Sequence, residues 1–297
     1  MERPNTAIQL YTLRDWNASL PDVIRKVSSA GFDGVELAHR THDASPLEIR
    51  RALEETGTVP VGAHVDLSEL ETALEELIDH FGTIGCRRLV IPHIGARHFR
   101  TRDRVEAIVD RLHAVSDRLH DNGFELVYHN SREPMLPLLD PYGVDRLLEF
   151  DLPAGVWNHV SDGIGRVRRY DEADLSSRTG FGHLVATSDP DRLAFEIDVK
   201  WVVAAGYRPE TAFELVGDRL QMVHLADVRL RRRFPPAFES VPPGEGMVDI
   251  DGSIAAATRA GAPWIVFEDD NPQDPETALE QGANTVRSIE QSAPIGH

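Results

Sequence analysis

The chain predicts a (β/α)8 barrel on three observations. Eight short β-rich apolar runs alternate with amphipathic helical patterns. The 297 residues suit eight such units. The glycine-rich turn that marks a doubly wound sheet, G-x-G-x-x-G after a strand, is missing, and so is G-x-x-x-x-G-K-[ST]. The strand candidates start at Ala7, Gly34, Val59, Arg88, Phe124, Leu193, Leu220 and Trp264. Ser19 and Asp22 open the first helix, and Ser45 with Pro46 opens the second, because a side-chain oxygen satisfies the free N–H groups of a first turn. Residues 67–80 place Leu70, Ala73, Leu74, Leu77 and Ile78 at helical spacing. The next helix has Thr101 and Asp103 near its start and Gly123 at its stop, and residues 275–289 repeat the pattern with Leu279, Ala283, Val286 and Ile289.

The strand starts at Phe124 and Leu193 are 69 residues apart, about 35–40 more than one βα unit requires. Helix candidates within the gap are residues 142–150 and 183–188. Residues 131–178 therefore read as an excursion from the carboxyl end of the fifth strand, either a lid over the site or a surface insertion. No linker or repeat divides the chain, so residues 1–297 read as one TIM barrel domain.

Charge narrows the function. There are 49 acidic residues against 31 basic ones, a formal charge of −18, and only Lys26 and Lys200 are lysine. An acidic, arginine-rich chain suits a halophilic source, where carboxylates hold water and salt screens their repulsion. The same balance opposes nucleic acid as a partner. No apolar run is long enough for a membrane span, and the first residues lack an export pattern, so the expected location is cytoplasmic. Cys86 has no partner for a disulfide and no G-x-S-x-G occurs, so neither a disulfide scaffold nor a serine nucleophile is expected.

In a barrel of this type, chemistry sits where strands end. The polar residues there are Glu36, His64, His93, His129, Asp198, His224 and Glu268. Carboxylates mixed with imidazoles form a ligand set for one divalent ion, Mn, Co, Mg or Zn.

Across nearly its whole length the chain resembles the xylose isomerase-like TIM barrels, which include sugar isomerases, sugar epimerases and inosose dehydratases. The phrases that carry the likeness are IQLYTLRD, GFDGVELA, LVYHN, FEIDVKWVVAAG, MVHLAD and PPGEGMVDIDGSI leading to WIVFEDD. The resemblance implies one metal held by two glutamates, an aspartate and a histidine, and motif by motif Asp198, His224 and Glu268 match three of them. For the fourth, many relatives read Y-H-N-H-x-x-E, whereas here Tyr128-His129-Asn130-Ser131-Arg132-Glu133-Pro134 puts Glu133 one residue short. Glu133, Glu149 or a degraded site are the alternatives. Ala226 stands where H-L-K-D would carry lysine, and Trp201 where ketose epimerases carry histidine.

The implied chemistry is proton abstraction next to a carbonyl through an enediolate, with Glu133 and Glu268 as the acid–base pair. Return of the proton gives epimerisation or isomerisation of a sugar, and loss of a β-hydroxyl gives an inosose dehydratase-like lyase on a cyclitol. Glu36, His64, His129, Trp201 and Arg229 are the candidate substrate contacts; His64 reads equally as a donor to the metal or a core histidine, Glu36 as a partner behind the metal's ligands or a rim ion pair, and His93 and His129 as packing or partners behind the ligands. The arginine run from Arg229 reads either as an anion site or as partners for surface carboxylates. Gly244, Gly246 and Asp249 read as shaping a loop. A non-catalytic sugar-binding barrel is the remaining class, and homo-oligomerisation is left open.

Overall fold

Short runs of Val, Ile and Leu become buried strands here because helices cover their outer faces. The computed structural model describes residues 3–138, 171–233 and 236–292. The barrel strands are β1 (Asn5–Gln9), β2 (Gly34–Leu37), β3 (Val59–His64), β4 (Arg88–Ile91), β5 (Glu125–His129), β6 (Ala194–Asp198), β7 (Leu220–Leu225) and β10 (Trp264–Phe267). They close in the order β1-β10-β7-β6-β5-β4-β3-β2, with every neighbouring pair parallel. All eight strands that the apolar runs anticipate are therefore present.

Helix ends follow the capping residues. Ser19 accepts from the Asp22 N–H to start α1 (Leu20–Ser29). Ser45 and Glu48 form a reciprocal capping box on α2 (Pro46–Thr56). The single helix expected over 67–80 divides at Ala73 into α3 (Leu67–Thr72) and α4 (Leu74–Ile84), because Ala73 leaves helical geometry at φ −131°. Thr101 caps α5 (Arg102–His120). The helix expected over 183–188 starts earlier, as Gly180–Thr187, and follows another at Glu172–Arg178. The one expected over 142–150 lies outside the described residues, as does most of the 131–178 excursion. Its described flanks are a 3-10 turn at Glu133–Met135 and a bridge between Pro137 and Thr179. Among the described residues no helix is long and apolar enough to cross a membrane.

The core has two layers. Most buried apolar residues lie between strands and helices, whereas Ala7, Val61, Val90, Val127, Ala194, Met222 and Val266 form a separate, smaller cluster. Six of these seven sit two residues before Gln9, Pro92, His129, Glu196, His224 and Glu268. A strand's side chains alternate with period two, so those six face the same way as the inner cluster but one layer nearer the carboxyl ends. In β1, β5, β6, β7 and β10 the barrel interior thus changes from apolar to polar within a single step along the strand.

The hairpin after the seventh strand was not anticipated. The expected seventh strand ends at Leu225, and Asp227 starts an antiparallel hairpin, β8 (Asp227–Arg233) with β9 (Pro236–Val241). Asp227 is buried, and its carboxylate accepts from the N–H groups of Val228, Gly244, Gly246 and Val248 at 2.7–3.0 Å. Gly246 is needed for this approach, since a Cβ there would sit 2.2 Å from Asp227 Oδ1 and 2.5 Å from the Val228 carbonyl oxygen. Replacing Asp227 with alanine orphans these backbone donors and should cost about 2–4 kcal/mol of stability, read from the denaturant midpoint. An unchanged midpoint would refute the anchoring role.

Candidate metal centre

Four side chains from four strands meet at the polar layer: His64 from β3, His129 from β5, Glu196 from β6 and His224 from β7. One nitrogen or oxygen of each lies within 4.8 Å of the others, the geometry of a metal-binding group. Glu196 bridges the cluster, with Oε1 2.8 Å from His224 Nε2 and Oε2 2.9 Å from His129 Nδ1 and 3.3 Å from His64 Nε2. Glu36 of β2 closes it, with Oε2 2.7 Å from His224 Nε2 and Oε1 3.2 Å from His64 Nε2. Gln9 donates to Glu36 Oε2 at 2.7 Å and fixes its orientation. Gly62 leaves room for Glu36, because a Cβ there would lie 3.3 Å from Glu36 Oε1 and 3.1 Å from Val90.

The residues fit a divalent cation on an internal criterion. Glu36 Oε1 and Glu196 Oε1 are buried without a hydrogen-bond donor. His224 Nε2 lies within 2.8 Å of both Glu36 and Glu196, yet a single N–H points at only one of them. Buried carboxylate oxygens left over in this way are costly unless a cation takes them. Imidazole nitrogen with carboxylate oxygen suits Zn, Mn or Co.

Electrostatics agree with the geometry. Burial alone would lower the pKa of His64, but the Glu36 charge, with hydrogen bonds to Glu196 and Glu36, raises it to about 10. His224 is likewise opposed by burial and held well above the ordinary imidazole range by Glu196, Glu36 and Glu268. Glu196 is resisted by burial and held well below the usual carboxylate range by His224, His129 and His64. Without a metal, His64 and His224 carry balancing positive charge.

A further shell surrounds these four. Glu268 Oε2 lies 3.2 Å from His224 Nδ1, the carboxylate–histidine pairing that orients a ligating ring. Asp198 Oδ2 lies 3.8 Å from His129 Nε2. Lys200, buried, reaches Asp198 at 3.3 Å, Glu268 at 3.1 Å and Asp270 at 2.5 Å. A cavity of about 370 Å³ opens above, with Tyr11, His64, His129, Lys200, Trp201 and Glu268 on its wall.

The structure therefore brings Glu36, His64, His129, Asp198, His224 and Glu268 to one place, with Trp201 on the wall of the cavity. Glu133 starts the 3-10 turn after β5, half-buried and off that wall. Arg229 lies on the hairpin, where it donates to the Glu245 carbonyl, and Arg231 pairs with Glu239 at 3.1 Å. His93 is exposed. Glu196 escaped the sequence reading, although strand parity pointed to it: it shares a face with Asp198 and immediately follows the inner-layer Ala194 on that face.

Residues 175–289 match the family model described as xylose isomerase-like TIM barrel. The resemblance is borne out. No curated protein matches the chain in sequence. Among solved structures, a sugar phosphate isomerase/epimerase from Parabacteroides distasonis is 15% identical, with a TM-score of 0.68 over 99% of this chain and 96% of that one. The IOLI protein, solved with a bound zinc atom, is 14% identical, with a TM-score of 0.68 over 98% of this chain and 100% of that one. The 3-keto-D-glucoside 4-epimerase YcjR from E. coli is 14% identical, with a TM-score of 0.62 over 97% of this chain and 100% of that one. At these identities the structural likeness concerns the fold.

Proposed function

We propose that the protein is a divalent-metal-dependent isomerase or epimerase of a sugar or cyclitol, working by proton abstraction next to a carbonyl. The observation that carries this reading is the convergence of His64, His129, Glu196 and His224 beneath an open cavity at the carboxyl ends of the strands. The zinc bound by the IOLI protein makes Zn the first ion to try, beside Mn and Co. A divalent ion held there supplies positive charge against which an enediolate is stabilised, so that the adjacent hydrogen becomes acidic.

The chain's own residues divide the remaining work. Glu268 is opposed by burial but held well below the usual carboxylate range by Lys200 and His224, so it is ionised at neutral pH, as a proton acceptor must be. Glu133, expected as its partner on the opposite face of the substrate, starts the 3-10 turn after β5 off the cavity wall, so this reading rests proton abstraction on Glu268. Trp201 offers an aromatic face to a sugar ring, and His64 and His129 line the cavity with polar edges. Return of the proton to the same carbon epimerises, return to the neighbouring carbon isomerises, and expulsion of a β-hydroxyl would dehydrate.

The test is solvent deuterium exchange over a panel of ketoses and inososes with Zn, Mn or Co, run with and without molar salt because of the acidic composition. Deuterium should enter at the carbon next to the carbonyl, and Glu268→Gln should slow incorporation by about 10²-fold or more. Metal uptake without incorporation across the panel would instead leave a sugar-binding barrel.

A further inference from the structure

Among the described residues Lys200 is the only lysine or arginine that is buried, and its surroundings are specific. Its ammonium lies between three carboxylate oxygens, Asp198 Oδ2, Glu268 Oε2 and Asp270 Oδ2, with Asp198 an ion-pair partner at 3.3 Å. The hydrogen bonds to Glu268 and Asp270 are direct, and the ring of Trp201 lies 5.3 Å from the same nitrogen. Asp270 is held in turn by Ser240 Oγ of the hairpin at 2.7 Å. Only two of the 31 basic residues in this chain are lysine, and this is one of them. A guanidinium is a planar fork, whereas an ammonium is a compact point charge able to sit among three converging oxygens.

We infer that Lys200 is a tethered cation that fills the outer carboxylate cluster of Asp198, Glu268 and Asp270, and so confines the divalent ion to the inner group of His64, His129, Glu196 and His224. Two cation positions then share one rim. The inner one offers imidazoles and glutamate; the outer one offers only carboxylate oxygens and is occupied by the protein itself. Asp198 and Glu268 act on the ion from behind its ligands, through His129 and His224. This inference rests on the metal-centre reading, but its decisive measurement is a difference between two proteins and needs no turnover.

Lys200→Met removes the charge while keeping an unbranched side chain of similar length. It leaves three carboxylates without a cation, an oxygen set suited to Mn²⁺. Titration of stripped protein with Mn²⁺, followed by electron paramagnetic resonance of the free ion, should show one more bound equivalent in Lys200→Met than in the wild type. An identical stoichiometry in the folded variant overturns the inference. If the wild type binds no Mn²⁺ while Lys200→Met gains an equivalent, the inner metal centre fails and the tethered cation stands. Anomalous diffraction from Mn²⁺-soaked wild-type crystals gives an independent check should the variant not fold. The ion is expected among the inner four residues, with Lys200 still between Asp198 and Glu268. An ion bound directly by Asp198 and Glu268, with Lys200 displaced, overturns the proposal.

Discussion

His224→Ala is expected to reduce affinity for Zn²⁺ or Mn²⁺ by well over a hundredfold. His224 Nε2 faces the shared volume within 2.8 Å of both Glu36 and Glu196, while Nδ1 is turned to Glu268. Its loss removes a donor atom, and with it the ring through which Glu268 acts. Asp198→Asn and Glu268→Gln leave the four converging donors in place and disturb only their orientation. They should therefore fall in the ~10–100-fold range typical of outer-shell partners. Isothermal titration of the three variants checks the order, and equal losses in all of them would return Asp198 and Glu268 to the ligand set. His224→Ala should also destabilise the metal-free protein by about 3–5 kcal/mol, because Glu36, Glu196 and Glu268 lose a buried cation together.

How far this site was legible depends on the kind of signal each residue leaves. The barrel strands were readable because each is a buried apolar run bounded by a capped helix or a glycine, and those signals are local. His224, Asp198 and Glu268 stand at strand ends and were readable from the same pattern. Glu196 was not singled out, because inside FEIDV it competes with Asp198 for attention, and only strand parity shows that both face inward. Glu36 and His64 could be read only as substrate contacts or outlying partners of a metal, since nothing local reveals that Glu36 reaches across the barrel interior to His224 while also meeting His64. Lys200 left no signal as a site residue. Its hydrogen-bond partners Glu268 and Asp270 lie 68 and 70 residues away, just beyond the last strand, and such pairing exists only after closure. The hairpin was hidden for a different reason: its arginines and bulge between Leu230 and Arg232 blur the period-two pattern that marks a strand.

Metal uptake should release protons, and affinity should rise with pH through the neutral range. In the metal-free protein His64 titrates at about 10 and His224 well above the ordinary imidazole value, so both are protonated at pH 7. A ligating imidazole nitrogen must be free of its proton, so an ion entering this group displaces one from each ring. Lowering the pH strengthens the competing proton and weakens binding. Raising it toward 10 removes the competition at His64 first. The logarithm of the binding constant should therefore climb by about two per pH unit near neutrality and flatten as His64 deprotonates. The metal-free protein responds in the opposite sense. The raised pKa of His64 contributes stability that is fully present below its unfolded value of 6.5 and is lost as pH rises through about 10. Calorimetric titrations in buffers of different ionisation enthalpy count the released protons directly, and thermal melts of stripped protein between pH 6 and 10 follow the second effect. Binding that is independent of pH in this range, with no proton released, would mean that the ion is held by carboxylates alone and that the histidines keep their protons beside it.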